Sequence, residues 1–304
     1  MHKLEIPELS TTIEFPSELE EMSNAQFQRY VSLVLQYDKG IINELEFRSK
    51  LVQCLLDIRM SYRFHWLSLE NRDTCATNIV RLTSLIDSFI EEFEKDHQLV
   101  KSFKLISTRN FVPRILNYFG PRDGFENLTF CEYRIARNYY RQFIETTDET
   151  FLNYLIAVLY RPSKPFTFIR KWFESWNGET RIPFMSNSNP LSLDKRVKVL
   201  MKVPFHLRYC VFLYFSGCEQ FLKSGNPVVD GIELDFSQLY SDADSSDKAN
   251  VGMVGLLYSL SESGVFGAIE QTDKQNLWDV LVRVYQLVMQ SQVSSFKANF
   301  NGKS

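Results

Sequence analysis

Glycine is scarce in this chain, 12 of 304 residues. No Gly-rich phosphate loop precedes a helical pattern, and no serine stands in a G-x-S-x-G setting. Two common signatures of nucleotide binding and hydrolysis are therefore missing. Histidine is scarcer still, and His2, His65, His97 and His206 are scattered. The five cysteines (Cys54, Cys75, Cys131, Cys210, Cys218) are odd in number and lack C-x-x-C spacing. They read as reduced core thiols of a cytoplasmic protein, not as a disulfide framework. The first residues, Met1 to Glu8, contain no apolar run, so no signal peptide is expected. The most apolar stretch, 204–222, carries His206, Arg208 and Glu219. It is too short and too polar to span a membrane and reads as a buried helix.

What is present is apolar and aromatic. Hydrophobic residues make up 44% of the chain, enough for a substantial core, and 25 residues are phenylalanine. Rings in that number imply a large core or apolar surface held for a partner. Charge is unevenly placed. Residues 1–100 hold 10 Lys/Arg against 17 Asp/Glu, a net of −7. Residues 101–210 hold 18 against 9, a net of +9, and residues 211–304 hold 6 against 11, a net of −5. A basic middle between acidic ends means either packing of complementary segments or a surface for an acidic partner.

Helix starts recur. Ser23 to Gln26, Asn43 to Glu46, Thr129 to Glu132, Thr146 to Glu149 and Thr272 to Gln275 all have capping-box spacing. Ser17 to Glu20 has it too, at a short turn. Apolar residues then follow at helical spacing, as in Phe27, Tyr30, Val31 and Val34. A third helix is predicted over 73–94, and further helices near 192–202, 205–223, 249–263 and 273–293. Residues 1–16 read as a strand or extended arm. Residues 99–106 read as a strand pairing with that arm, and Asp230-Gly231 as a hairpin turn. The segments 22–56 and 128–160 share one layout, a capped helical hairpin with an aromatic five residues in, Phe27 or Tyr133. The fold class is mainly α, a multi-helix protein of antiparallel helical hairpins with a few short strands. Domains are placed at 1–125 and 126–304, with loop 177–190 inside the second. A single large domain is the alternative.

Candidate chemistry is thin. His206 and Cys210 stand four apart on one helical face, with Cys218 two turns on, but a zinc site needs three or four ligands. Asp242 to Asp247 resembles a calcium loop but has Asp247 where glycine is needed and Met253 where the bidentate glutamate belongs. Gly252-x-x-Gly255 lies among apolar residues and reads as helix packing. No cofactor and no metal is expected, and no enzyme. Arg134, Arg137 and Arg141 share a helical stripe, and Arg161 follows at the end of the next helix. These four form the candidate interface. Lys195, Arg196, Lys198 and Lys202 make a second basic cluster, with Arg170 and Lys171 between. Such patterns serve solvated faces, protein interfaces and nucleic-acid surfaces alike.

One stretch carries a family resemblance. Leu128-Thr129-Phe130-Cys131-Glu132-Tyr133, followed through an acidic connector by Leu159-Tyr160-Arg161-Pro162, resembles a pattern in tail-assembly proteins of tailed phages. Gly264-Val265-Phe266-Gly267 before an amphipathic helix is similar to segments from the same tail modules. The resemblance covers mainly residues 128–162. It implies a tail-assembly chaperone or baseplate-hub assembly factor, acting in the host cytoplasm. The function expected is a non-enzymatic assembly factor or structural adaptor. It would hold Phe-rich surface against a tape-measure or baseplate protein. The alternative is a nucleic-acid-associated protein using the basic segment 101–210. No membrane partner is expected, and the oligomeric state stays open.

Overall fold

The computed structural model describes residues 1–6, 11–57, 69–95, 98–164, 166, 172, 179–182, 184, 190–224, 227–229, 231–236 and 252–301. Ten α-helices lie among them, with only short antiparallel strands, so the protein is mainly α. The chain divides into two compact units, one of Met1–Ser107 with Phe205–Leu213, the other of Thr108–Pro204 with Tyr214–Ser304.

The first unit opens with a hairpin of β1 (His2–Ile6) and β2 (Thr11–Phe15), paired from His2–Phe15 to Ile6–Thr11. The N-terminal arm thus pairs with itself and not with residues 99–106, as the sequence had suggested. Helices α1 (Asn24–Asp38) and α2 (Glu44–Leu55) form a packed hairpin. Ser23 and Asn43 cap them, each accepting from the amide three residues on while Gln26 and Glu46 reach back. Such a cap contributes about 1 kcal/mol. At the turn near Ser17 the returning carboxylate is Glu21, not Glu20.

Helix α3 is Leu69–Leu82, shorter than the span predicted to residue 94. The chain tightens into a 3-10 turn, Thr83–Phe89, and then extends as β3 (Ile90–Lys95), antiparallel to β4 (Gln98–Phe103). Its apolar spacing fits a helix, but cross-strand pairing overrides that local preference. Tyr30 donates to the Phe89 carbonyl at 3.3 Å, and its ring lies 5.9 Å from Phe89 and 6.5 Å from Phe47. Phe47 meets Phe103 at 4.9 Å.

The second unit is built on the hairpin of α4 (Phe130–Thr146) and α5 (Glu149–Leu159). Thr129 and Glu132 form the expected capping box. Asp148 caps α5 instead of Thr146, because α4 runs on to Thr146 and Thr147 turns left-handed at φ 57° to end it. Of Tyr133, Ala136, Tyr140 and Phe143, whose spacing predicts one inward face, Tyr140 is only half-buried, its ring 5.0 Å from Phe215, and the other three are buried, with Leu152, Leu155, Ile156 and Leu159 of α5 also buried. Helix α5 is apolar almost all round and is buried to match.

A three-stranded sheet stands beside the hairpin, in the order β5 (Arg114–Ile115), β6 (Tyr118–Phe119), β7 (Arg161–Pro162). Pro162, which has no N–H to give, sits on the outer strand of the three. Gly120 lies against the ring of Tyr160, and a Cβ there would come within 2.7 Å of it. Helix α6 (Pro190–Leu200) packs on α5. Helix α7 (Phe205–Ser224) follows, divided at Leu213 between the units.

Gly231, at φ 79°, turns the small hairpin of β8 (Val228–Val229) and β9 (Ile232–Glu233). Asp230 and the polar stretch 241–247 lie outside the described residues. Helices α8 (Gly252–Glu262), α9 (Ile269–Asp273) and α10 (Leu277–Asn301) complete the unit. Thr272 is not the cap of the last helix. It is buried within α9, and Asn276 accepts from the Trp278 amide at 2.8 Å to open α10. Phenylalanine builds cores here. Of the phenylalanines whose burial is described, Phe166 and Phe221 are exposed and the others are buried or half-buried.

Candidate functional site

The four arginines read as an interface have separate fates. Arg137 and Glu219 form an ion pair at 3.2 Å with side chains only 5% and 4% exposed. Arg161 is buried and pairs with Glu132, which is fully buried, and it donates to the Ile182 carbonyl. Arg134 is mostly covered and holds Asp273 at 3.0 Å. Arg141 alone is exposed. The expectation that Arg137 stays reachable from solvent is therefore corrected. Glu219 of α7 packs against that side of α4, and a charge beside a carboxylate inside a core is held there by the cost of separating the pair. Arg161 does not point outward from a helix end, because the chain bends at Tyr160 into β7 and turns the guanidinium toward the cap of α4.

That cap is the centre of a larger charge cluster. Oε2 of Glu132 accepts from the Thr129 amide at 3.1 Å and lies 3.6 Å from Nη2 of Arg181. Arg181 is wholly buried, although it lies in the segment 177–190 read as a loop or linker. Its guanidinium donates to Glu179 at 3.1 and 3.2 Å, to the Leu159 carbonyl at 3.2 Å and to the Asn127 carbonyl at 2.6 Å. Asn127 in turn donates to Glu179 at 2.7 Å. Two arginines thus face two glutamates. Burial pushes the Arg161 guanidinium down to about 10, against the opposing pull of Glu132. Burial also works to raise the Glu179 carboxyl, but hydrogen bonds and charge from Arg181 outweigh it and leave it below the usual value.

Part of the basic middle pairs with the acidic ends in the same way. Arg134 and Arg137 of the basic middle meet Asp273 and Glu219 of the acidic C-terminal third. Lys101, at the start of the basic middle, meets Glu44 of the acidic N-terminal third at 2.6 Å.

What stays exposed is different chemistry. Lys195, Lys198 and Lys202 line the outer side of α6 and the turn after it. Arg196 is half-buried, its guanidinium 5.9 Å from the Phe184 ring, and burial pushes its pKa down. Nearby, Ile182 donates to the Pro162 carbonyl at 3.0 Å and Lys164 to the Thr180 carbonyl at 2.7 Å. Phe166 is 67% exposed and Trp172 89% exposed. A second exposed group stands where α8 turns into α9, with Tyr258, Val265 and Ile269 uncovered. Neither group was singled out by sequence reading as an aromatic or apolar surface.

Among the described residues no three His, Cys, Asp or Glu side chains gather to hold an ion. His206 is half-buried, and Cys210 and Cys218 are buried thiols whose ionisation burial opposes. No described helix is long and apolar enough to cross a membrane. No family model matches the chain, and neither a curated protein nor a solved structure matches it.

Proposed function

We propose that the protein is a non-enzymatic adaptor or assembly factor that docks a protein partner on the turn between α8 and α9. The observation that carries this reading is the exposure of Val265 in the turn, of Tyr258 in α8 before it and of Ile269 at the start of α9. Gly264 and Gly267, both with positive φ, give the turn its shape, and Gln271 folds back to the Ala268 amide at 3.1 Å. An aromatic and two β-branched side chains on a fixed frame can bury apolar area at little cost in chain entropy. Glu262 and Glu270 flank them and supply a polar rim.

The kind of partner proposed, a tape-measure or baseplate component, is what the resemblance of residues 128–162 to phage tail-assembly proteins implies. The residues that carry it, Leu128, Thr129, Glu132 and Arg161, serve the internal clamp, so the likeness bears on scaffold and not on a binding face. Co-expression with the proteins encoded beside this chain tests the reading. A stoichiometric complex with a tape-measure or baseplate protein is expected. Absence of tail genes from the neighbourhood, or no complex with their products, would overturn it.

A further inference from the structure

We propose that Arg196 of α6 and the Tyr118 hydroxyl of β6, beside the buried Glu132–Arg161 pair, form a binding site for a small carboxylate. The site lies within the second unit and shares no residue with the α8–α9 turn, so neither reading depends on the other.

Arg196 lacks a counter-charge of its own. It is half-buried, and its Nε is buried and meets no acceptor. Its guanidinium lies 5.9 Å from the centre of the Phe184 ring, and among the described residues it makes no hydrogen bond and no ion pair. Arg134 and Arg161 also hold an Nε without an acceptor, but each meets a carboxylate through a terminal nitrogen. An arginine in a protein does not give up its proton. A guanidinium drawn partly out of water and left unpaired costs free energy, which a bound anion recovers.

Three contacts set Arg196 beside the charge cluster. Arg161 donates to the Ile182 carbonyl, and Phe184, the ring under Arg196, is two residues on. Tyr118 stands opposite Pro162 in the register of β6 and β7, next to Arg161. The charge of Arg196 acts on Arg161, and Arg196 in turn feels Tyr118 and Glu132. The charged groups that act on one another there are Arg161, Arg181, Arg196, Glu132 and Glu179. Three guanidiniums against two carboxylates leave one positive charge over. Glu132 is shared between Arg161 and Arg181, and Arg181 also engages Glu179, so the excess falls on Arg196.

That excess selects the ligand. A carboxylate carries one negative charge, and its two oxygens fit the planar fork of a guanidinium. A phosphate brings more charge into the same half-buried place and leaves part of it unmatched, at a cost in desolvation. Tyr118 is half-buried, and its hydroxyl, with no partner among the described residues, is free to donate to a carboxylate oxygen. Phe184 is buried and covers one side of the guanidinium. Val197 and Leu200, on either side of the next turn, are buried where α6 packs on α5, so Arg196 stands on a fixed backbone. An anion that meets a fork already held in place loses little to ordering it.

Thermal melts of the full chain in sodium acetate test the site, with sodium chloride holding the ionic strength constant and inorganic phosphate as the second probe. Acetate should raise the melting temperature along a saturating curve with one half-point, as a ligand that binds only the folded chain does. Arg196→Met should abolish that dependence and, in chloride alone, should melt at or above wild type, because an unpaired charge has gone. Arg196→Lys keeps the charge but loses the fork, and should move the half-point up at least about tenfold. Tyr118→Phe should move it about two- to tenfold, the range of one hydrogen bond. Lys198→Ala, an exposed charge on the same helix, should leave it unchanged. Absence of a saturable rise in wild type would overturn the proposal, and so would an equal rise in Arg196→Met. A half-point lower for phosphate than for acetate would overturn the choice of a carboxylate. Melting of Arg196→Met well below wild type in chloride would also contradict the site, since the arginine would then already have its partner.

Discussion

The carboxylate of Glu132, in the first turn of α4, is paired with the guanidinium of Arg161, just past the end of α5. Both side chains are buried. The same carboxylate caps α4 through the Thr129 amide, so one group ties the start of the hairpin to its finish. Removing it would leave Arg161 and Arg181 without their shared counter-charge. Glu132→Ala should therefore cost about 3–5 kcal/mol, the range for breaking a buried pair. Urea unfolding of the variant against wild type measures this, and Thr129→Ala, which loses only the cap, should cost about 1 kcal/mol.

Arg137 and Arg141 lie on one stripe of α4 but in different surroundings. Arg137→Ala should destabilise by about 3–5 kcal/mol, because Glu219 is left charged and buried. Arg141→Ala, on the surface, should stay within about 0.5 kcal/mol. A double-mutant cycle of Arg137 with Glu219 separates the pair from its surroundings. Replacing both by Met and Leu should recover most of the loss.

Gly120 is fixed by its neighbour. The Tyr160 hydroxyl donates to the Val112 carbonyl at 2.6 Å, which holds the ring where a Cβ at position 120 would need to go. Gly120→Ala should cost about 1–3 kcal/mol by overpacking. Gly120→Ala combined with Tyr160→Phe, which frees the ring to shift, should cost less per substitution, as thermal melts would show.

Acid should loosen the clamp. The Glu179 carboxyl lies below its usual value of 4.5 in the folded protein, through Arg181. Its contribution is complete above the unfolded pKa and is lost as pH falls through the folded one. Urea midpoints should thus drop between pH 6 and pH 3, with a smaller drop in Glu179→Gln. An equal drop in both would remove Glu179 from the acid response.

The local signals were legible in the sequence and the distant ones were not. Ser23, Asn43 and Thr129 announce their helices because a cap is a matter of four adjacent residues. Tyr133, Ala136 and Phe143 point inward as their spacing requires. Residues 90–95 could not be read as a strand, because Ile86, Phe89, Ile90 and Phe93 also fit a helical stripe and only pairing with 98–103 decides. Arg137 gave no sign of burial, since its partner Glu219 lies 82 residues away. Arg181 looked like a loop residue for the same reason, its contacts to the carbonyls of Asn127 and Leu159 being set by tertiary packing.

The docking claim is tested most directly by retention of the co-expressed tape-measure or baseplate protein on a variant carrying Val265→Asp and Ile269→Asp. Both side chains are exposed, so the variant should melt within a degree or two of wild type, about 0.5 kcal/mol or less. Charges set into an apolar contact should still cut retention at least about tenfold. Retention equal to wild type, at an unchanged melting temperature, would contradict the assignment of the α8–α9 turn as the docking surface.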